Sequence, residues 1–397
     1  MQITPSNMIK RLPRQEFAAV FQKIAEKKKT GADIINLGQG NPDLPTPPHI
    51  VKALQDSAGT LLYHQYAPFR GFDFFKQSIA DFYLREFGVR VNPEKEIALF
   101  CGGKTGLYVL SQCLLNPNDI ALVPDPGYPE YAPGIMMVNA EPHYIQLHEE
   151  DGFLPNLESI ESSVLQKAKV LFLNYPNNPT GAVANKVFFE EAASFAHRHG
   201  IHVIHDFAYG SFHHGQKPVS FLHAPLGKKV GIELYSLSKT FNMAGWRIAF
   251  AIGNERIIQA VNEFQDHVFV SMFGGFQHAA SVALKSDPYY IEVLRQTYFE
   301  RMQFFVKQAK EKLGWEIKLP DGAFYLWAKI PDAFVDSHAF SQYLLEHANV
   351  VVSPGAMFGQ NGERYVRISM VAPIEKLASF IDRIQALHLT FHEKARI

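Results

Sequence analysis

The chain has 397 residues, of which 47% are hydrophobic and 19% are charged, and its formal net charge is −1. This composition can supply a large buried core and differs from that of disordered chains, and the near-zero charge shows no electrostatic signature of binding to nucleic acid or to an anionic membrane. The two cysteines, Cys101 and Cys113, are too few for a disulfide framework, and residues 1–17 lack the apolar stretch of a secretion signal, so we expect a cytoplasmic protein.

From about residue 95, short apolar runs alternate with segments of helical spacing. The alternation predicts a mostly parallel sheet with helices on both faces. Ligands of such sheets lie beyond the carboxyl ends of the strands. The predicted strands are Ile97–Phe100, Ile120–Val123, Val170–Leu173, His202–His205, Ile232–Tyr235 and Ile248–Ile252.

The C-terminal third has a different pattern, which predicts a separate α+β domain that packs firmly on the first. The predicted elements are a helix from about Tyr289 to Leu313, a strand at Gly322–Ala328, a helix near Ser337 to His347, strands at Val350–Val352 and Tyr365–Ser369, and a helix near Pro373 to Leu387.

The segment from Tyr235 to Arg247 carries the clearest chemical signal, because it places Lys239 near Ser236 and Ser238. A lysine forms an imine readily only when neighbouring cations or burial lower its pKa. Two hydroxyls and a guanidinium suit a phosphate group. The segment therefore indicates a site for an aldehyde cofactor that carries a phosphate, and the alternative is a solvated turn before a strand.

Polar residues also follow two other predicted strands. Asp206 ends one of them, and a carboxylate there can keep a pyridine nitrogen protonated; the alternative is an Asx turn. Tyr209, three residues later, can bond a ring hydroxyl. Asn178 lies in the proline-rich turn Asn174–Gly181, which fixes the direction of its amide toward an anionic ring oxygen.

Three further positions extend this pattern. Gly102–Thr105 joins a strand to a helix and can hold a phosphate, although its spacing is that of neither a dinucleotide-binding motif nor a P-loop. Tyr128 can stack on a ring, and Arg367 can clamp a carboxylate with two hydrogen bonds. The histidine pairs lack the other ligands of a metal site, and no Gly-x-Ser-x-Gly elbow occurs, so we expect neither a metal centre nor a hydrolase.

Together these motifs resemble the class I, fold-type I pyridoxal-phosphate aminotransferases, and the resemblance runs from Asn36–Asp43 to the strand of Arg367. It implies that Lys239 binds the cofactor covalently and carries the substrate's proton. It also implies that Asp206 pairs with the ring nitrogen. The remaining cofactor contacts that it implies are Tyr209 and Asn178 on the phenolic oxygen, Tyr128 on the ring face, and Gly103, Lys104, Ser236, Ser238 and Arg247 on the phosphate.

The resemblance also implies an architecture. A large α/β domain, residues 45–290, would contain a mostly parallel seven-stranded sheet between helices, and residues 1–44 with 291–397 would form a smaller α+β domain. Tyr66 matches the tyrosine that reaches the phosphate of the neighbouring subunit, which implies a homodimer with shared active sites.

For the substrate, the resemblance implies that Arg367 binds the α-carboxylate, with Gly40 and Asn178 beside it. Within the family, the amino-acid sequences of several motifs are similar to those of methionine-salvage transaminases, which aminate 4-methylthio-2-oxobutanoate. The segment Phe269–Gln277 has no arginine where dicarboxylate-specific relatives place one. We therefore expect a pocket lined by Phe269, Met272, Phe273 and Phe276 that takes apolar or thioether side chains.

Three alternatives remain at this stage. Lys104 or Arg70 can supply a cation for an aspartate- or diaminopimelate-type substrate. The same Lys239 and Asp206 can serve a carbon–sulfur β-lyase. A cofactor-sensing regulator would need a DNA-binding domain, for which residues 1–35 are too short.

Overall fold

The computed structural model describes residues 3–13, 15–269 and 271–391, and twelve strands form three sheets within these ranges. The strands are β1 (Ile35–Asn36), β2 (Ile97–Phe100), β3 (Ile120–Asp125), β4 (Glu141–Gln146), β5 (Ala168–Leu173), β6 (His202–Asp206), β7 (Gly231–Ser236), β8 (Ala249–Gly253), β9 (Tyr325–Lys329), β10 (Val350–Val351), β11 (Ser353–Pro354) and β12 (Tyr365–Ser369).

Sixteen α-helices lie in the same ranges, and none of them is both long and apolar enough to cross a bilayer. They are α1 (Asn7–Arg11), α2 (Glu16–Lys29), α3 (Pro48–Ser57), α4 (Leu61–His64), α5 (Asp73–Phe87), α6 (Gly103–Leu114), α7 (Tyr131–Met137), α8 (Ser162–Leu165), α9 (Lys186–His199), α10 (Gly227–Val230), α11 (Leu237–Thr240), α12 (Glu255–Val268), α13 (Gly274–Leu284), α14 (Tyr289–Gln308), α15 (Ser337–Ala348) and α16 (Ile374–Gln385).

The largest sheet has seven strands in the order β2-β8-β7-β6-β5-β3-β4. Strand β8 is antiparallel to both of its neighbours, and the other pairings in this sheet are parallel. The predicted α/β fold with a mostly parallel seven-stranded sheet is therefore confirmed. The sequence did not reveal β4, because this edge strand buries only Ile145 and so has no apolar run.

Buried side chains of successive strand residues belong to different cores, as the alternation of a strand requires. In β5, Leu171 and Leu173 join the core on one face of the sheet, while Val170 and Phe172 join the core on the other. Both faces are covered, which explains why the central strands read as continuous apolar runs.

A third core lies among α14, α16 and the antiparallel sheet β11-β12-β9. The helix predicted from about Tyr289 to Leu313 is formed by α14, which continues as a π-helical turn, Ala309–Leu313. The strand predicted to begin at Gly322 begins instead at Tyr325. The domain boundaries at residues 44/45 and 290/291 stay a prediction.

Candidate active site

A cavity of about 600 Å³ opens where β5, β6 and β7 end. Its lining includes every residue predicted to contact the cofactor except Tyr66, whose side chain is 91% exposed on this chain, and it also includes the residues predicted beside the substrate α-carboxylate. The predicted residues in the lining are Gly40, Gly103, Lys104, Tyr128, Asn178, Asp206, Tyr209, Ser236, Ser238, Lys239, Arg247 and Arg367.

Lys239 lies on the short helix α11, directly after β7. Its Nζ donates a hydrogen bond of 2.5 Å to the carbonyl of Gly40 and lies 5.8 Å from the centre of the Phe324 ring. Burial is the largest cause of a lowered pKa of Lys239, and together with the charges of Arg367 and Arg247 it brings this pKa to about 7. The amine is therefore available in its neutral, nucleophilic form near neutral pH.

Two hydroxyls, a guanidinium and a helix N-terminus meet at one end of the cavity. Ser236 Oγ lies 2.9 Å from Ser238 Oγ, and a Cβ added to Gly103 would lie 4.0 Å from the Ser236 side chain. Gly102 has a φ of +95°, and an added Cβ there would lie 2.1 Å from the guanidinium of Arg247. Only glycine permits this approach, and the resulting set of donors fits a phosphate dianion.

Asp206 is the buried carboxylate of the cavity. Burial raises its pKa, while the backbone N–H of Ala208, the hydroxyl of Tyr131 and the charge of His205 act in the opposite direction. The hydroxyl of Tyr131 donates to Oδ2 at 3.1 Å, and the N–H of Ala208 donates to Oδ1 at 3.2 Å. These donors hold the carboxylate in place as a hydrogen-bond acceptor.

Arg367 connects the strand β12 to the turn that follows β5. Its Nη1 donates to Asn178 Oδ1 at 2.7 Å and its Nη2 donates to the carbonyl of Gly38 at 2.9 Å. The guanidinium lies between the rings of Tyr325 and Phe358, at 4.4 and 4.6 Å from their centres. Its position is therefore set by hydrogen bonds and by cation–π contacts, and it is suitably placed to bind a carboxylate.

The sequence analysis did not identify two tyrosines at the site, one that lines the cavity and one that lies behind a lining residue. Tyr325 lines the cavity, and its hydroxyl lies 2.6 Å from that of Tyr209. Tyr131 packs edge-on against Tyr128 as well as bonding Asp206. Tyr325 lies in an apolar run that the sequence analysis interpreted as a strand of the core. Its hydroxyl, in an otherwise apolar run, was the one signal that could have indicated a site residue.

A second missed group lies at the mouth of the cavity. Glu130 Oε1 accepts hydrogen bonds from Lys104 Nζ at 2.6 Å and from Gln15 Nε2 at 2.7 Å, and Ala18 and Phe21 of α2 line the cavity nearby. The implied contact of Lys104 with the phosphate therefore competes with a carboxylate that already holds this side chain.

The segment Phe269–Gln277, which we expect to line the substrate pocket, does not border the cavity within this single chain. None of these residues is in the lining, and Val270 lies outside the described residues. Met272 is buried in a core below the sheet, and Phe276 packs against Trp246. Gln277 accepts a hydrogen bond from the backbone N–H of Phe72. Within this chain, these side chains therefore pack against other parts of the protein.

Two other features of the described residues lie apart from this cavity. A groove of about 710 Å³ beside Trp315, Trp327 and Tyr365 contains none of the predicted site residues. Across residues 3–13, 15–269 and 271–391, no three His, Cys, Asp or Glu side chains are grouped as metal ligands.

The sequence profile of the family described as aminotransferase class I and II matches residues 32–384. Transaminase BacF of Bacillus subtilis is 63% identical over 391 residues, which are 98% of each chain. Its substrate-bound structure matches with a TM-score of 0.96 and covers 99% of this chain and 100% of that chain.

Two relatives that are named by their substrates are less similar in sequence. The L-glutamine–4-(methylsulfanyl)-2-oxobutanoate aminotransferase of Bacillus subtilis is 45% identical over 98% of this chain and 98% of its own length. The LL-diaminopimelate aminotransferase of Desulforudis audaxviator is 40% identical over 97% of this chain and 98% of its own length.

Proposed function

We propose that this chain, which belongs to the family of class I and II aminotransferases, moves amino groups between amino acids with uncharged side chains and 2-oxo acids. The family depends on pyridoxal phosphate, so the chain is a transaminase that uses this cofactor. The observation that carries the residue assignments is the shared cavity of Lys239, Asp206, Arg247 and Arg367.

The donors around the cavity are suited to the two ends of the cofactor. Ser236, Ser238 and Arg247, with the N-terminus of α6, would hold the phosphate, and Asp206 would accept the ring N–H. When bound, pyridoxal phosphate supplies an aldehyde that accepts the substrate's nitrogen and a protonated ring that draws electrons from the α-carbon.

Lys239 has the properties of the base in this site. Its lowered pKa, about 7, makes Nζ able to take the proton from the substrate α-carbon and to give a proton back later in the cycle. Arg367 would orient the substrate by binding its α-carboxylate, and Tyr209 and Asn178 would donate to the cofactor's phenolic oxygen.

The cations that line the cavity support the proposal that the substrate has an uncharged side chain. Among the described lining residues the cations are Lys104, Lys239, Arg247 and Arg367, and the last three have the roles given above. Lys104 is paired with Glu130, so a second carboxylate of the substrate would meet a neutralised pair. This argument favours substrates of the methionine and 4-methylthio-2-oxobutanoate type over aspartate and diaminopimelate.

The test compares methionine, aspartate and diaminopimelate as amino donors for a panel of 2-oxo acids. We expect kcat/KM for methionine to exceed that for aspartate by more than roughly tenfold, which corresponds to 1.4 kcal/mol. Glu130→Gln frees Lys104 and should raise the aspartate-to-methionine ratio. Glu158→Gln, on the surface and paired with Arg198, is the control.

Each result has a distinct meaning in this test. Aspartate as the best donor of the wild type would refute the substrate class and leave the transaminase assignment in place. Pyruvate and ammonia from a carbon–sulfur substrate, without a new amino acid, would instead support the β-lyase.

We also propose a homodimer. Tyr66 is 91% exposed, and Leu61 and Phe69 of the same segment are 74% and 55% exposed. An apolar, exposed segment that carries a residue predicted to act in a neighbouring site is typical of a subunit interface. The cytoplasmic location stays a prediction.

A further inference from the structure

Tyr325 is a buried residue of the cavity wall to which the proposed function assigns no role. It begins β9, and only 1% of its surface is exposed. Its hydroxyl lies 2.6 Å from that of Tyr209, which is in the turn after β6. The pair of hydroxyls therefore connects the antiparallel sheet to the loop that follows Asp206.

The hydroxyl of Tyr325 is held against the backbone of Gly40. A Cβ added to Gly40 would lie 2.2 Å from Tyr325 Oη, so glycine leaves the room that this hydroxyl occupies. The carbonyl of Gly40 also accepts the hydrogen bond from Lys239 Nζ. Tyr325 is thus fixed beside both Tyr209 and the backbone that holds Lys239.

The ring of Tyr325 faces the guanidinium of Arg367. In the antiparallel register Tyr325 lies opposite Ser369, two residues from Arg367 on β12, so the two side chains are on one face of the sheet. The guanidinium carbon lies 4.4 Å from the centre of the ring, within the range of a cation–π contact. One side chain therefore contacts both the residue proposed for the phenolic oxygen and the residue proposed for the α-carboxylate.

The direction of the hydrogen bond between the two tyrosines follows from the number of hydrogens. Burial raises the pKa of both phenols, so each keeps its single O–H hydrogen near neutral pH. If Tyr209 donates its hydrogen to the cofactor, it has none left for Tyr325. The contact is then a hydrogen bond that Tyr325 donates and Tyr209 accepts.

We propose that Tyr325 is a positioning residue, which donates to Tyr209 with its hydroxyl and holds Arg367 with its ring. The inference rests on the proposed function, in which Tyr209 donates to the phenolic oxygen of the cofactor. Hydrogen bonds in a chain polarise one another, so a hydroxyl that accepts a hydrogen bond is a stronger donor. A stronger donor on the phenolic oxygen favours the deprotonated form of the bound cofactor, because that form has more negative charge on the oxygen.

Removal of one hydroxyl leaves the charges around the two tyrosines unchanged. The charged and titratable groups that face the pair are Arg367, Asp206, Tyr128 and Tyr131, and Lys239 lines the same cavity. Tyr325→Phe keeps a ring beside Arg367 and alters none of these groups. A change in the titration of the bound cofactor in this variant therefore reports the lost hydrogen bond.

The experiment records the visible absorbance of bound pyridoxal phosphate against pH, for the full chain without substrate. We expect Tyr325→Phe to raise the midpoint by roughly 0.2–0.6 pH unit, because a neighbouring hydrogen bond adds about 10–30% to a charge-assisted bond worth about two pKa units. Tyr209→Phe removes the donor itself and should raise the midpoint further. Tyr365→Phe, on β12 with its hydroxyl bonded to Glu149 outside the cavity, should follow the wild type.

Tyr325→Leu tests the ring. Relative to Tyr325→Phe, we expect kcat/KM for methionine to fall a further roughly 2- to 30-fold, which is the range of a cation–π contact. The amine that lacks the carboxylate of methionine should show little further loss, because it does not use Arg367. Thermal unfolding of each variant gives a separate measure of stability.

The outcomes separate the inference from the proposed function. If Tyr209→Phe leaves the midpoint at the wild-type pH, Tyr209 does not donate to the cofactor, and both that assignment and the inference fail. If Tyr209→Phe raises the midpoint and Tyr325→Phe does not, the inference alone is overturned. It is also overturned if Tyr325→Leu slows methionine and the amine equally, since the ring then acts only in packing.

Discussion

Arg367 offers the sharpest test of substrate orientation. Arg367→Ala removes a buried guanidinium that is held by Asn178 and by the carbonyl of Gly38. In the proposed complex this guanidinium pairs with the substrate α-carboxylate. Truncating one partner of such a buried, hydrogen-bonded charge pair costs about 2–5 kcal/mol. We therefore expect kcat/KM for methionine to fall roughly 30- to 5,000-fold, since 1.36 kcal/mol corresponds to a factor of ten.

The assay compares methionine with the amine that lacks its carboxylate, 3-(methylthio)propylamine. The wild type should strongly prefer methionine, and Arg367→Ala should lose this preference while changing kcat/KM for the amine little. Arg364→Ala, three residues earlier and bonded to Asp332 and the Phe334 carbonyl outside the cavity, is the control. If both substrates lose rate equally in Arg367→Ala, the arginine is structural and does not bind the carboxylate.

Three further outcomes are expected. Asp206→Asn should retain cofactor but lose most of its turnover, because an amide does not keep the ring nitrogen protonated; near wild-type turnover would reduce Asp206 to a turn residue. Since the pKa of Lys239 is lowered to about 7, the rate at which apoprotein captures pyridoxal phosphate should rise with pH through that value, and Arg247→Gln should move the midpoint upward by removing a charge that lowers it; a pH-independent rate would contradict the neutral amine. If Tyr66 acts in the neighbouring site, mixing and reassociating inactive Tyr66→Ala and Lys239→Ala chains should restore about a quarter of wild-type activity through hybrid dimers with one complete site, whereas no recovery would argue against shared sites.

The positions of six strands along the chain, and the residues that follow them, could be predicted from the sequence. Apolar runs alternating with helical segments specify a sheet covered on both faces, and ligand sites of such sheets lie at the carboxyl ends of the strands. Asn178, Asp206 and Lys239 each follow a strand closely, so their meeting in one cavity was predictable without knowledge of side-chain contacts. The edge strand β4 was not, because only Ile145 is buried in it.

Contacts between distant segments were decided by the tertiary structure alone. Lys104 and Glu130 are 26 residues apart in the sequence, and only the fold brings their side chains within 2.6 Å. The sequence analysis places Met272 and Phe276 in the substrate pocket, whereas in the fold Met272 packs in a core and Phe276 packs against Trp246. Local patterns determine which face of an element is buried, whereas the partner that buries it depends on how the elements pack, and this is the physical limit of reading this chain from its sequence.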